Sequence, residues 1–172
     1  MNFRIFVNLL FIPFFLLSIL FADGSRDRVL VENTVAAVAR PTPVTSDAKP
    51  LLADIRGVTV GMAMTDARAK LGKAKETSDQ QDFYQISDGE TIQIVYTDDK
   101  TVKGISATFL GSNPKPPTPK DLFGADVESA ADGAINKMVK YPKLGYWVSY
   151  IKTGGSDPMV MVTIHAFQKG EL

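Results

Sequence analysis

The side chains that could perform catalysis or bind a metal are few in this chain. Its 172 residues include one histidine, His165, and no cysteine. Any Ser-His triad must therefore use His165, and a zinc site built on cysteines or on two histidines is excluded. We predict no catalytic residues, no metal site and no cofactor.

Two carboxylate pairs and one glycine-rich turn are the other features with chemical potential. Asp98-Asp99 and the pair of Asp79 and Asp82 lie in or beside predicted turns, where neighbouring acids are usually solvated. Gly154-Gly155-Ser156 lies in a predicted hairpin turn, without the strand-to-helix context that a nucleophile or a phosphate loop needs. We therefore predict that the protein is not an enzyme. The alternative is a small hydrolase or ligand carrier built around His165.

The elements that would position these residues follow two N-terminal segments. Residues 1–24 combine a basic Arg4, a long apolar run and small residues at Ala22 and Gly24, which is typical of a secretory signal peptide. An uncleaved anchor is the alternative, because the run is close to the roughly 17 residues that can cross a bilayer. Residues 25–50, rich in proline and alanine, predict a disordered tether.

Composition indicates an exported protein of a bacterial envelope, either periplasmic or secreted. The chain has no cysteine to carry a disulfide or a lipid, and no N-x-[ST] acceptor for glycosylation. Its 19 basic and 19 acidic residues balance, which argues against a nucleic-acid partner. A membrane is a partner only if the N-terminal segment stays uncleaved.

The remaining sequence contains the same order of predicted elements twice, a short helix followed by three strands. In residues 51–111, a helix capped by Thr65 and Gly72 precedes three strands, two of them joined by Asp88-Gly89. A proline-rich joint at residues 112–117 leads to residues 118–172, where a helix starting at Thr118 again precedes three strands. We predict an α+β fold in which two tandem units, each a short helix plus three antiparallel strands, share one sheet with the helices on one face.

Alternation along the strands assigns the two faces of this sheet. The core face should carry Ile92, Ile94 and Tyr96, and in the second half Tyr146, Val148, Tyr150, Val160, Val162 and Ile164. The opposite surface, called the second face below, should carry Trp147, Ser149, Ile151, Met159, Met161, Thr163, His165 and Phe167.

Six of these second-face residues form the predicted binding patch. They are Trp147, Ile151, Met159, Met161, His165 and Phe167. A solvated sheet face is usually polar, so an apolar patch here indicates an interface. The alternatives are that the tether, the joint or a second subunit covers this face, or that the register is shifted by one residue, which would exchange the faces.

The first of these two units resembles a known protein family. The run from Gly61-Met62 to Leu71-Gly72, followed by three strands, resembles the start of the small outer-membrane assembly lipoproteins BamE, also called SmpA or OmlA. The tandem arrangement resembles the β-lactamase inhibitory protein (BLIP-like) superfamily. The chain departs from the lipoproteins by lacking the lipid-bearing cysteine. The resemblance implies a non-catalytic protein-binding role with the sheet face as the contact.

Together these observations predict a non-catalytic, exported module that binds a protein partner or assists assembly in the cell envelope. A structural envelope protein whose membrane anchor is its function is a further alternative.

Overall fold

A computed structural model describes residues 43–111, 114–168 and 170 of the chain. The predicted signal peptide and residues 25–42 of the predicted tether lie outside the described residues. In the described part, no helix has the length and apolar character needed to cross a membrane. The strands are β1 (Val44–Thr45), β2 (Glu76–Thr77), β3 (Gln81–Ser87), β4 (Glu90–Tyr96), β5 (Val102–Leu110), β6 (Ile135–Tyr141), β7 (Tyr146–Lys152) and β8 (Met159–Ala166), and the α-helices are α1 (Met64–Leu71) and α2 (Pro119–Phe123).

All eight strands belong to one mixed sheet. Their order is β1-β6-β7-β8-β5-β4-β3-β2. Neighbouring strands are antiparallel, except that β1 runs parallel to β6. The central ladder pairs Gly104–Leu110 of β5 with Met159–His165 of β8, so the strands from both halves of the chain form one continuous surface.

The predicted fold class is therefore wrong. In place of two helix-plus-three-strand units with helices on one face, the described chain is mostly sheet, with eight strands and only two α-helices. At eight and five residues, α1 and α2 are too short to build a helical layer. The ladder between β5 and β8 merges the strands into one sheet, and the two-residue strands β1 and β2 add edges that no alternating pattern revealed.

The predicted core face, in contrast, is largely confirmed. Tyr146 is only half-buried, but the other predicted core residues are buried, so the register is not shifted. They pack with residues from the segment before β2 and from α2 into one hydrophobic cluster. The largest fully buried apolar side chains are Tyr84, Ile92, Ile94, Ile105, Leu122 and Ile164.

The two helices begin for different physical reasons. The start of α2 is confirmed, since Thr118 and Asp121 form a capping box and Pro119 occupies the first helical position. The predicted Thr65 cap of α1 is wrong, because Ala63 precedes the helix and makes no side-chain cap. Ala63 instead forms a β-bridge with Thr101, so tertiary pairing sets where α1 begins.

Candidate functional site

The second face brings the six predicted patch residues into two groups. Trp147 lies opposite His165 across the β7–β8 ladder, and Ile151 lies opposite Met161. Between these pairs lies a row of small hydroxyl residues, Ser149, Thr163 and Ser106. The hydroxyl oxygens of Thr163 and Ser106 are 2.9 Å apart. We call the group of Trp147, His165 and Phe167 the aromatic end, and the group of Ile151, Met159, Met161 and Leu110 the aliphatic end.

The aliphatic end includes a residue that the sequence reading missed. Leu110, the last residue of β5, pairs with Met159 and is 51% exposed. The six predicted residues are each half-buried. Leu110 therefore raises the apolar area that this end presents, and only the pairing of β5 with β8 places it there.

The aromatic end is built around a stacked pair of rings. The Trp147 and His165 ring centroids are 5.3 Å apart with an interplanar angle of 22°. Nδ1 of His165 lies 2.7 Å from the carbonyl oxygen of Ala166, and because a carbonyl oxygen only accepts, Nδ1 donates this hydrogen bond. Lys140 lies over the Phe167 ring, with Nζ 5.7 Å from the ring centroid. The His165 ring is thus held by packing and a backbone contact.

Gly104 of β5 makes room for the His165 ring. It lies opposite His165 in the ladder, and a Cβ added at position 104 would overlap that ring. Gly104 does not have a positive φ, so the backbone itself does not require glycine. The residue is needed for space, which the sequence alone did not show.

Charged side chains are few on the second face. At the paired second-face positions of β3 to β8 no residue is acidic, and the titratable side chains are Lys140 and His165. Glu76 of the edge strand β2 lies opposite Phe83 on this face, and Lys103 lies at the bulge of β5, outside the register. In the described residues no group of three or more His, Asp or Glu side chains could hold a metal ion. This face therefore presents mainly apolar side chains and hydroxyl groups.

A buried polar cluster attaches α1 to the sheet. Asp82 is fully buried and accepts two hydrogen bonds from Arg68, from Nε at 2.8 Å and Nη2 at 2.9 Å. The hydroxyls of Tyr96 and Tyr84 also donate to Asp82, at 2.7 and 3.3 Å. Burial raises the pKa of Asp82, but the hydrogen bonds from Arg68 and Tyr96 outweigh it and hold the pKa below its usual range.

This cluster corrects one of the sequence predictions. Asp98, Asp99 and Asp79 are exposed, as predicted for acids at turns, but the same prediction is wrong for Asp82. Its carboxylate is saturated by Arg68 and two tyrosines, which leaves it no open side for a substrate. Its position indicates a structural role.

A second buried carboxylate borders open space on the core side. Glu90, the first residue of β4, is 4% exposed and pairs with Arg56 through two hydrogen bonds, Nε to Oε1 at 2.8 Å and Nη2 to Oε2 at 2.6 Å. The hydrogen bond to Glu90 outweighs burial and raises the pKa of Arg56. The pair lines two neighbouring clefts of about 200 and 380 Å³.

Sequence reasoning missed this pair entirely. Arg56 and Glu90 are 34 residues apart and belong to no shared motif. One signal was available, since Glu90 directly follows the Asp88-Gly89 turn, at a position where alternation with Ile92 and Ile94 places it on the core face. A core-facing acid requires a partner.

Comparison of the chain with protein-family models, with curated proteins and with solved structures finds no match in any of the three.

Proposed function

We propose that this protein is a non-catalytic, exported binding module of the cell envelope that holds a protein partner on its second face. The observation that carries the proposal is the composition of that face. The aromatic end, the hydroxyl row and the aliphatic end lie side by side on this face. Its paired positions on strands β3 to β8 include no acidic residue. Mixed apolar and hydrogen-bonding surface of this kind is typical of protein interfaces.

Within this face, Trp147 is the expected anchor. Tryptophan is enriched among the residues that dominate binding energy, and methionine adapts to irregular partner surfaces. Trp147 is the only tryptophan of the chain, and its stacking on His165 fixes the orientation of the ring before a partner binds. A preorganised side chain loses less conformational entropy on binding.

A protein partner is favoured over nucleic acid by charge. Nucleic-acid surfaces need several Lys or Arg side chains to neutralise phosphates, and the register places one lysine, Lys140, at the paired second-face positions of β3 to β8. We therefore expect binding that weakens only modestly with salt.

The proposal is tested by quantitative pull-down from envelope extracts with three forms of the chain. Combined substitution of Trp147→Ala and Met161→Ala removes one side chain from each end, and should weaken capture of the partner roughly thirtyfold or more. Leu51→Ala is the matched control, because Leu51 is 69% exposed and apolar but lies beside α2, where its amide donates to the Leu122 carbonyl at 3.1 Å. Equal capture of the same partner by the double variant and by the control would overturn the assignment of the surface.

The alternative of a hydrolase or ligand carrier built around His165 is weaker on geometry. The His165 ring stacks on Trp147 and donates to a backbone carbonyl, which are contacts of a packed side chain. Substrate screening against the wild type and His165→Ala distinguishes the two functions. An activity lost in that variant alone would favour the alternative.

A further inference from the structure

The outer edge of β6 is only partly covered by β1. The two residues of β1 lie opposite Val139 and Lys140, near the end of the seven-residue strand β6. Residues 135–138 of β6 therefore have no strand beside them on this side among the described residues. Unpaired backbone along a sheet edge invites pairing with another chain, so such edges are usually covered or blocked.

Hydrogen bonding fixes which backbone groups point outward from this edge. The Ser46 amide donates to the Lys140 carbonyl at 2.9 Å. Because backbone groups alternate in direction along a strand, the amides of Asn136 and Met138 point to the same side as the backbone of Lys140. Neither amide has a partner among the residues that the structure describes. Two hydrogen-bond donors are therefore available on the uncovered part of the edge.

The residues that precede β1 have the direction needed to fill this edge. Since β1 is parallel to β6, the chain before β1 corresponds in register to the first residues of β6. Continued in this register, Thr42 lies opposite Lys137 and Arg40 opposite Ile135. By the same alternation, the backbone groups of these two residues are directed at β6, as the amide of Ser46 is.

Two prolines in this segment fit the same register. Pro41 and Pro43 occupy the odd-numbered positions, whose nitrogens are directed at solvent. Proline has no N–H to donate, and in a sheet it is found on edge strands with the nitrogen on the solvent side. A shift by one residue would direct both prolines at β6 and remove two hydrogen bonds. The proline spacing therefore agrees with the register that β1 already has.

We propose that residues 40–42 extend β1 along β6 and cover this edge of the sheet. The Met138 amide donates to the Thr42 carbonyl, and the Asn136 amide donates to the Arg40 carbonyl, which continues the parallel ladder. The prolines then lie on the outer side, where they offer no donor to another chain. This inference does not depend on the proposed binding to the second face.

Amide hydrogen exchange of the purified full chain, followed by nuclear magnetic resonance, tests the proposal. The amides of Met138 and Asn136 should be protected roughly tenfold or more relative to the amide of Gln85. Gln85 lies at the opposite edge of the sheet, in β3 beyond the residues that pair with β2. Its amide points outward, because the Phe83 carbonyl two residues earlier accepts from the Lys75 amide. Equal protection of the three amides would overturn the proposal.

Two proline substitutions distinguish this pairing from other causes of protection. Thr42→Pro directs a proline ring at β6 and should abolish the protection of Met138 and Asn136. Ala39→Pro, the matched control, adds a proline on the solvent side and should leave that protection unchanged. Retained protection in Thr42→Pro, or equal loss in both variants, would contradict the register. Protection that increases with protein concentration would assign the edge to a second copy of the chain and overturn the proposal.

Discussion

At the scale of single residues, the packing of His165 against Gly104 fixes the position of the aromatic end of the second face. The imidazole lies against Trp147 and over the position where any larger residue at 104 would place its Cβ. The aromatic end therefore depends on a residue with no side chain. A glycine inside a strand ordinarily weakens it, so close packing is the reason for its presence.

Gly104→Ala should accordingly destabilise the fold by roughly 1 to 3 kcal/mol, the usual cost of overpacking a filled site. Urea denaturation monitored by circular dichroism measures this change. In a His165→Ala background the ring is gone, and the same substitution should cost less than about 0.5 kcal/mol. Equal costs in the two backgrounds would show that the ring does not explain the glycine.

At the scale of elements, one charge pair determines how α1 is attached. Only Met64 and Ala67 of this helix are buried, so its apolar contact with the sheet is small. Arg68 supplements that contact by reaching the buried Asp82 of β3, and its Nη2 also donates to the Ser78 carbonyl at 2.9 Å. The helix is held by a charge-assisted contact as much as by packing.

Arg68→Met keeps the aliphatic stem but leaves Asp82 without its charge partner. At neutral pH we expect a loss of roughly 2 to 3 kcal/mol, below the full value for buried pairs because Arg68 is 38% exposed. Because the folded pKa of Asp82 is lowered, its contribution is complete above the unfolded pKa of about 3.9 and is lost as pH falls through the folded pKa. The difference between wild type and variant should therefore shrink at acidic pH.

Urea denaturation at pH 7, 5 and 3 checks this dependence. Lys100→Met is the control, since it removes an exposed ion pair with Asp79 and should change stability by less than about 1 kcal/mol. A deficit of Arg68→Met that is the same at every pH would rule out the charge as its cause.

The same elements show how far sequence alone could go. Alternation in β4 and β8 correctly assigned the core face, because a period of two is a local property that reads directly from residues such as Ile92 and Ile164. The start of α1 could not be read locally, because Ala63 is fixed by pairing with Thr101. The helix caps suggested two separate units of one helix and three strands. The ladder between β5 and β8 instead joins the strands of both halves into one sheet.

In the candidate sites too, features set by local alternation were predicted and features set by long-range pairing were missed. The second-face positions of Trp147 and Met161 followed from their own strands, but the contact of His165 with Gly104 needed the register between β5 and β8. The Arg56–Glu90 pair joins a turn to a strand 34 residues away. Each missed contact joins residues far apart in the sequence, and local alternation indicated only that Glu90 faces the core.

At the scale of the whole molecule, the single sheet and single core of residues 43–168 imply that this part of the chain is one folding unit. Buried residues from both halves belong to a single cluster, and β5 and β8 pair along seven residues each. The two halves of the described chain therefore share most of the apolar surface that stabilises either. Independent unfolding of one half would expose the core face of the other.

Unfolding should consequently be a single cooperative transition. The single tryptophan, Trp147 in β7, reports on one half by fluorescence, while far-ultraviolet circular dichroism reports on all strands. The two signals should give the same midpoint in urea. Separate midpoints would indicate two independently stable units.

Binding of a protein partner on the second face is the central claim, and site-specific photo-crosslinking in the native envelope tests it most directly. With p-benzoylphenylalanine in place of Met161, we predict a crosslink to one protein that is lost when Trp147→Ala is added. The same photoreactive residue in place of Leu51, beside α2, should not give that crosslink. No crosslink from position 161, or the same crosslink from both positions, would contradict the claim.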